Sequence, residues 1–203
     1  MVRITREQRA ANRERLIDTL AAQIAAGRGR VPTVSSITAE LGLARSAFYN
    51  YFDDVEDLFR AFVDRELRLL ASALADRLAE VDDPVERLAV FVRAALSEFA
   101  GHGAAFEAAT ALGLERRVQG SEELGPLAAV LATVLRDGVA AGRFDPVMIS
   151  PLVPELILRA VGTHQAAIAA GTVDLDEAQS VVSHFVRRAL LPEPSDHRGE
   201  ERP

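Results

Sequence analysis

Apolar residues recur every three to four positions along most of this chain, and this period is the feature that most restricts its fold. Leu16, Leu20 and Ile24 share one face of a segment at 6–26, and a longer stripe runs from Phe59 to Leu78. Such a period is typical of amphipathic α-helices, whereas a half-buried strand would alternate apolar and polar residues. The sequence sustains no such alternation. We therefore expect an all-α protein.

Helix start and stop signals divide the sequence into three parts. Residues 1–53 are predicted to form a three-helix domain, 54–191 a helical bundle, and 192–203 a disordered tail. Asp53 with Glu56 has the spacing of a capping box where the bundle begins. The signals predict the following helices in the bundle: 54–80, 84–100, 104–116, 124–141, 150–170 and 174–191.

The charge is unevenly distributed, although the whole chain has a net charge of −7. Residues 1–51 hold eight arginines and four acidic residues, a net charge of +4, which leaves −11 for the remainder. A basic segment on an acidic body suits a protein that presents one end to nucleic-acid phosphates. A solvated charged surface is the alternative.

Composition also restricts the chemistry of the chain. It has no cysteine and four widely separated histidines, so we expect no disulfide, no metal site and no cofactor. The basic N-terminus is not followed by the apolar segment of a secretory signal, and no apolar stretch has the roughly 20 residues of a membrane helix. We therefore expect a cytoplasmic protein without membrane contact.

Residues 33–52 have the layout of a helix-turn-helix. Thr33 can cap a short helix at 34–41, Gly42 allows a tight turn, and 45–51 is predicted to form a second short helix. Six apolar residues are expected to pack the two helices together: Val34, Ile37, Leu41, Leu43, Phe48 and Phe52. The second helix then presents side chains that can reach base edges or phosphates, namely Arg45, Ser46, Tyr49, Asn50 and Tyr51.

This segment resembles the DNA-binding region of the TetR (tetracycline-repressor) family of bacterial regulators. The resemblance covers about residues 8–60 and rests on Thr33-Val34, Ile37, Leu41-Gly42-Leu43, the Phe48-Tyr49-x-Tyr51-Phe52 run and Glu56-Asp57-Leu58. It implies that Thr33 and Tyr49 contact phosphates and that Tyr51 lies near the DNA backbone. It also implies that four residues face the bases: Arg45, Ser46, Ala47 and Asn50.

Two residues depart from the family pattern. Val55 stands where a lysine is usual, and Thr38 stands where an alanine is usual. The first departure removes an expected phosphate contact, for which Arg3, Arg6 and Arg9 could compensate as a basic arm.

The resemblance also implies roles for the bundle. Its interior would hold a small-molecule inducer, and its last two helices, at about 150–191, would pair with those of a second subunit. Along the final helix apolar residues cover more than one stripe, as packing on both the body and a partner would require. A wholly intramolecular core is the alternative.

Candidate ligand contacts are the bundle residues that would be unusual in a purely structural core. They are Phe99, His102, Phe106, Thr110, Arg159, His164 and Gln165. His102 could instead be an exposed loop residue, and Arg159 could form an ion pair within or between subunits.

Together these features predict a ligand-responsive transcriptional regulator. It would bind a palindromic double-stranded DNA operator as a homodimer, act as a repressor, and leave the DNA when an inducer enters the bundle. An enzyme is not supported, because the sequence has no metal-binding histidine spacing, phosphate-binding glycine loop or nucleophile motif. A helical interaction module with a degenerate helix-turn-helix stays open, because Val55 and the net acidity both weaken the expected DNA contact.

Overall fold

The computed structural model describes residues 5–26, 32–101, 124–164, 167–168 and 171–192. Within these ranges there are eight α-helices, one short 3-10 helix and no strand, so the all-α prediction is confirmed. The helices are α1 (Arg6–Ala26), α2 (Val34–Glu40), α3 (Arg45–Phe48), α4 (Val55–Ala79), α5 (Pro84–Gly101), α6 (Gly125–Ala140), α7 (Leu152–Gly162) and α8 (Leu175–Leu190). The helix predicted at 104–116 and the tail beyond Pro192 lie outside the described residues.

Helices α1 to α3 form an N-terminal three-helix unit. Gly42 follows α2 with a φ of 65°, a left-handed conformation that side chains with a Cβ rarely adopt. The backbone N–H of Leu43 donates to the carbonyl of Thr38 at 2.9 Å and closes the turn. The tight turn predicted at Gly42 is therefore confirmed, and it lets α3 cross α2.

The start of α4 differs by one residue from the prediction. The N-cap is Asp54, whose Oδ1 accepts from the backbone N–H of Asp57 at 2.7 Å. Asp57 Oδ2 accepts in turn from the backbone N–H of Asp53 at 3.2 Å. The predicted capping pair of Asp53 and Glu56 is wrong, because four carboxylates in five positions give two candidate pairs of identical spacing.

The helix predicted at 150–170 is interrupted in the structure, where residues 167 and 168 are again helical. Helix α7 ends at Gly162, and Thr163 and His164 form a turn. Gly162 and Thr163 are both poor helix formers, and the backbone N–H of Thr163 makes the capping bond of α7 to the carbonyl of Arg159 at 2.9 Å. A 3-10 helix at Pro146–Met148 was not predicted, and the carboxylate of Asp145 caps it.

One hydrophobic core runs continuously through the described helices from α1 to α8. Helix α4 packs against α1 on one side and against α5 and α6 on the other, so it connects the three-helix unit to the bundle. Phe144 follows α6 and is almost fully buried against Gly138 of that helix. The core therefore fixes the N-terminal unit on the bundle.

Candidate DNA-binding surface

Three fully or almost fully buried side chains anchor α3 against α2. Ile37 and Phe48 are inaccessible to solvent, and Phe52 is 3% exposed. Val34 is also buried, and Leu41 and Leu43 are partly buried against the same core. The packing predicted for these six residues is confirmed, and it fixes which face of α3 points outward.

The outward face of α3 carries four exposed residues: Arg45, Ser46, Tyr49 and Asn50. Ala47 is half-buried at the edge of this face. The α-helix ends at Phe48 rather than at Tyr51, and turn hydrogen bonds continue the chain beyond it, such as Tyr51 N–H to the carbonyl of Phe48 at 2.9 Å. The predicted second helix is thus three residues too long, although its outward residues stay together.

Tyr51 is half-buried and engaged within the protein. Its hydroxyl accepts a hydrogen bond from Nδ2 of Asn12 in α1 at 3.0 Å, and its ring packs against the core. One residue further, the guanidinium of Arg13 lies over the Phe52 ring, 4.9 Å from its centroid. These two contacts tie α1 to the end of α3. Sequence reasoning assigned no role to Asn12, since the contact links positions 39 residues apart.

Thr33 caps α2 through a reciprocal pair of hydrogen bonds. Its Oγ1 accepts from the backbone N–H of Ser36 at 3.1 Å, and Ser36 Oγ accepts from the backbone N–H of Thr33 at 3.0 Å. The predicted cap is confirmed. Because the Thr33 hydroxyl only accepts here, its own hydrogen is available to an exposed acceptor such as a phosphate oxygen.

Gln23 joins α1 to both ends of α2. Its Oε1 accepts from Ser36 Oγ at 2.8 Å, and its Nε2 donates to a carboxylate oxygen of Glu40 at 2.7 Å. Since the same Ser36 hydroxyl takes part in the Thr33 cap, the orientation of α2 is coupled to α1. The first helix therefore positions both members of the helix-turn-helix.

The two departures from the family pattern have local explanations. Thr38 is buried, and its hydroxyl donates to the carbonyl of Val34 at 2.8 Å, which satisfies the polar group within α2. Val55 is half-buried and packs against the core. Residue 55 therefore contributes to packing and offers no cation, whereas α1 carries four exposed arginines: Arg6, Arg9, Arg13 and Arg15.

The candidate ligand residues are described only in part. The side chain of Phe99 and all of His102, Phe106, Thr110 and Gln165 lie outside what the structure describes. Arg159 is exposed on α7, and His164 is half-buried in the turn that follows. A groove of about 160 Å³ lies between α6 and the start of α7, but neither residue lines it. The ligand site stays a prediction.

Helices α7 and α8 carry two apolar faces. The inner stripe of α8, made of Ala178, Val182, Val186 and Leu190, is buried, as the prediction of more than one stripe requires. The outer face leaves four large apolar side chains exposed: Leu152 at 65%, Leu156 at 64%, Val181 at 59% and Phe185 at 64%. Leu152 and Leu156 are four residues apart on α7, and Val181 and Phe185 are four residues apart on α8. Each pair therefore forms a short ridge along its helix.

Sequence comparison relates part of the chain to known regulators, although no family model matches it. An uncharacterised HTH-type transcriptional regulator of Mycobacterium tuberculosis is 36% identical over 63 residues, which is 31% of this chain and 31% of that protein. The similarity thus spans about a third of the relative's length.

Solved structures share the fold over most of the chain. RolR in complex with resorcinol matches with a TM-score of 0.69 and 22% identity, covering 92% of this chain and 90% of that chain. A TetR transcription regulator from Haloarcula marismortui matches with a TM-score of 0.68 and 19% identity, covering 90% of this chain and 100% of that chain. The transcriptional regulator FadR from Bacillus subtilis in complex with stearoyl-CoA matches with a TM-score of 0.61 and 20% identity, covering 87% of this chain and 98% of that chain.

The chain therefore has the fold of TetR-type transcriptional regulators. The resemblance identified from the sequence is confirmed at the level of the fold. Among the described residues, no helix is long and apolar enough to cross a membrane, and no group of side chains could hold a metal ion.

Proposed function

We propose that this chain is a ligand-responsive repressor that binds a palindromic DNA operator as a homodimer and is released by a small-molecule inducer. The observation that carries the proposal is the outward face of α3, where Arg45, Ser46, Tyr49 and Asn50 are exposed while Phe48 anchors the helix from behind. The second helix of a helix-turn-helix with this exposure can enter the major groove. The similarity to HTH-type regulators supports this reading.

In this proposal, phosphate contacts flank the base contacts. Thr33 has a hydroxyl hydrogen to donate at the start of α2, and Tyr49 is 52% exposed on α3. The arginines of α1 supply positive charge beside them and so replace the lysine that is absent at position 55. Phosphate neutralisation releases counterions, so operator binding should weaken steeply as salt rises.

The exposed ridges of α7 and α8 support a homodimer formed through residues about 150–191. Four large apolar side chains exposed on two adjacent helices form a patch that water disfavours. In a two-fold dimer the same patch serves both subunits, so the four helices would pack as a bundle. Such a dimer places two copies of α3 on one face of the DNA, about 34 Å apart.

The inducer is proposed to act by changing that separation. Helix α4 packs on α1 as well as on the bundle, so a displacement of α4 by a bound ligand would move the three-helix unit. A ligand shifts the population only by its differential affinity for the two arrangements. RolR with resorcinol and FadR with stearoyl-CoA are ligand complexes of the same fold, which supports a response to a small ligand in this chain.

The proposal keeps the seven candidate ligand residues as contacts of the inducer. It also assigns the chain to the cytoplasm. It gives the chain no catalytic role. The similar proteins are named as transcriptional regulators, which supports the absence of a catalytic role.

Fluorescence anisotropy with DNA fragments that flank the chain's own gene, over a salt series, tests the proposal. We expect tight, salt-sensitive binding to one fragment, and weaker binding for the Arg45→Ala Tyr49→Phe double variant. Uniformly weak binding that the substitutions leave unchanged would reject the proposal and favour a helical interaction module.

A further inference from the structure

Arg45 is the only cationic residue between positions 32 and 59. It is exposed at the first position of α3, and no hydrogen bond or ion pair engages its guanidinium within the described part of the chain. The other charged side chain on the α2–α3 unit, Glu40, is held by Gln23 at 2.7 Å. A single unengaged guanidinium therefore dominates the electrostatics of the outward face.

The direction of Arg45 follows from the helix period. At about 100° per residue, Arg45 and Tyr49 lie within about 40° of each other, and Ser46 and Asn50 form a second pair beside them. Phe48 projects outside the arc of these four residues, which agrees with its burial. The four exposed side chains therefore occupy one arc that can enter a groove, and Arg45 is its N-terminal member.

We infer that Arg45 reads a guanine in each half-site of the operator. This rests on the proposed DNA binding and adds the identity of a base. The N-terminal residues of a recognition helix contact base edges, and an arginine pairs with O6 and N7 of guanine through two parallel hydrogen bonds. Ser46 and Tyr49 cannot present two parallel donors, so they do not compete for the same recognition.

A phosphate contact is the competing role for the same guanidinium. Other groups can already donate to phosphates, which argues against this role for Arg45. They are Thr33 and the exposed arginines of α1, namely Arg6, Arg9 and Arg15. The two roles differ in their consequences, because a phosphate contact positions the protein without carrying sequence information.

Selection from a randomised duplex library with the full-length protein tests the inference. The wild type should enrich sites with a guanine at one symmetric position of each half-site. Arg45→Ala should lose that preference by a factor on the order of ten to a hundred, and Arg45→Gln should change it to adenine, since a glutamine amide matches N6 and N7 of adenine. Arg68→Ala, a matched removal of an exposed arginine that lies on α4 outside this arc, should keep the guanine.

The variants are expected to fold, because Arg45 is exposed and has no partner among the described residues; the helical circular dichroism spectrum checks this. If both Arg45 variants enrich the wild-type site with uniformly lower affinity, Arg45 contacts phosphate and the inference fails while the proposed function stands. The inference is also overturned if Arg45→Gln changes the preferred base only at positions where the wild type does not select guanine. If the wild type enriches no sequence at all, the proposed function fails, and the inference fails with it.

Discussion

Nη1 of Arg65 in α4 lies 2.7 Å from Oδ1 of Asp18 in α1. The same nitrogen is 3.3 Å from Glu14, also in α1, and Nε of Arg65 is 3.3 Å from Glu66. Burial lowers the pKa of Arg65, but the hydrogen bonds with Asp18 and Glu14 outweigh it and raise the pKa above its ordinary value. The guanidinium therefore stays charged, and its ion pairs with Asp18 and Glu14 join the three-helix unit to the first helix of the bundle.

We predict that Arg65→Ala weakens operator binding more than it weakens the fold. Asp18 and Glu14 have side chains 67% and 52% exposed, so solvent screens the ion pairs, and the loss of unfolding free energy should be about 0.2–1 kcal/mol. The angle between α1 and α4 loses a fixed contact, so the two recognition helices align less well. Urea unfolding and operator anisotropy measure the two effects.

Arg68→Ala is the matched control, since Arg68 pairs with Asp64 inside α4 and does not reach α1. It should leave operator affinity unchanged. Exchanging the charges in the Arg65→Asp Asp18→Arg double variant should recover part of the affinity. Equal operator affinities for the Arg65 and Arg68 variants would contradict the coupling role.

The two tyrosines of the helix-turn-helix should respond in opposite ways to loss of their hydroxyls. Tyr51→Phe removes the hydrogen bond from Asn12, so it should lower the unfolding free energy by about 0.5–1.5 kcal/mol. Tyr49 is exposed and makes no hydroxyl hydrogen bond to the described residues, so Tyr49→Phe should leave stability unchanged and weaken operator binding several-fold.

Thermal unfolding and anisotropy of the two tyrosine variants distinguish these roles. A Tyr51 variant as stable as the wild type would mean that the Asn12 contact contributes nothing. A Tyr49 variant with unchanged operator affinity would remove this residue from the proposed phosphate contacts.

Much of the helix-turn-helix could be predicted because its determinants are local. The spacing of Ile37 and Phe48, the cap at Thr33 and the turn at Gly42 each depend on a few neighbouring residues, and all are found as predicted. The contact between Asn12 and Tyr51 could not be predicted, because it depends on how α1 is rotated against α3. The period of apolar residues defines which face of a helix is buried, but it does not determine which polar side chains of two helices form hydrogen bonds.

In the bundle, too, the sequence predicted the apolar faces of helices better than it predicted where they end. The two apolar stripes of α8 were predictable, since Val181 and Phe185 each directly precede a residue of the buried stripe, Val182 and Val186. The end of α7 at Gly162 was missed, because alanines and apolar residues continue the helical period through 170 and outweigh, in the sequence pattern, the low helix propensity of Gly162 and Thr163.

Gly138→Ala should destabilise the protein even though alanine favours helices. A Cβ at position 138 would overlap the ring of Phe144, which is 1% exposed and has little room to move. Overpacking costs about 1–3 kcal/mol, more than the roughly 1 kcal/mol gained from helix propensity. Urea unfolding measures the net loss. The Phe144→Leu background is the control, since a smaller side chain should reduce the penalty; an equal penalty there would exclude the overlap as its cause.

Phe185→Glu should convert the proposed dimer into monomers. Its side chain is 64% exposed on the outer face of α8, so the monomer tolerates the charge, whereas a dimer interface would have to bury it unpaired. Light scattering after size exclusion measures the mass, and anisotropy should show weaker binding to a full palindrome with little change for a half-site. Leu69→Glu alters a similarly exposed apolar residue, 59% exposed on α4, and should keep the wild-type mass. An unchanged mass for Phe185→Glu would place any subunit contact away from α8.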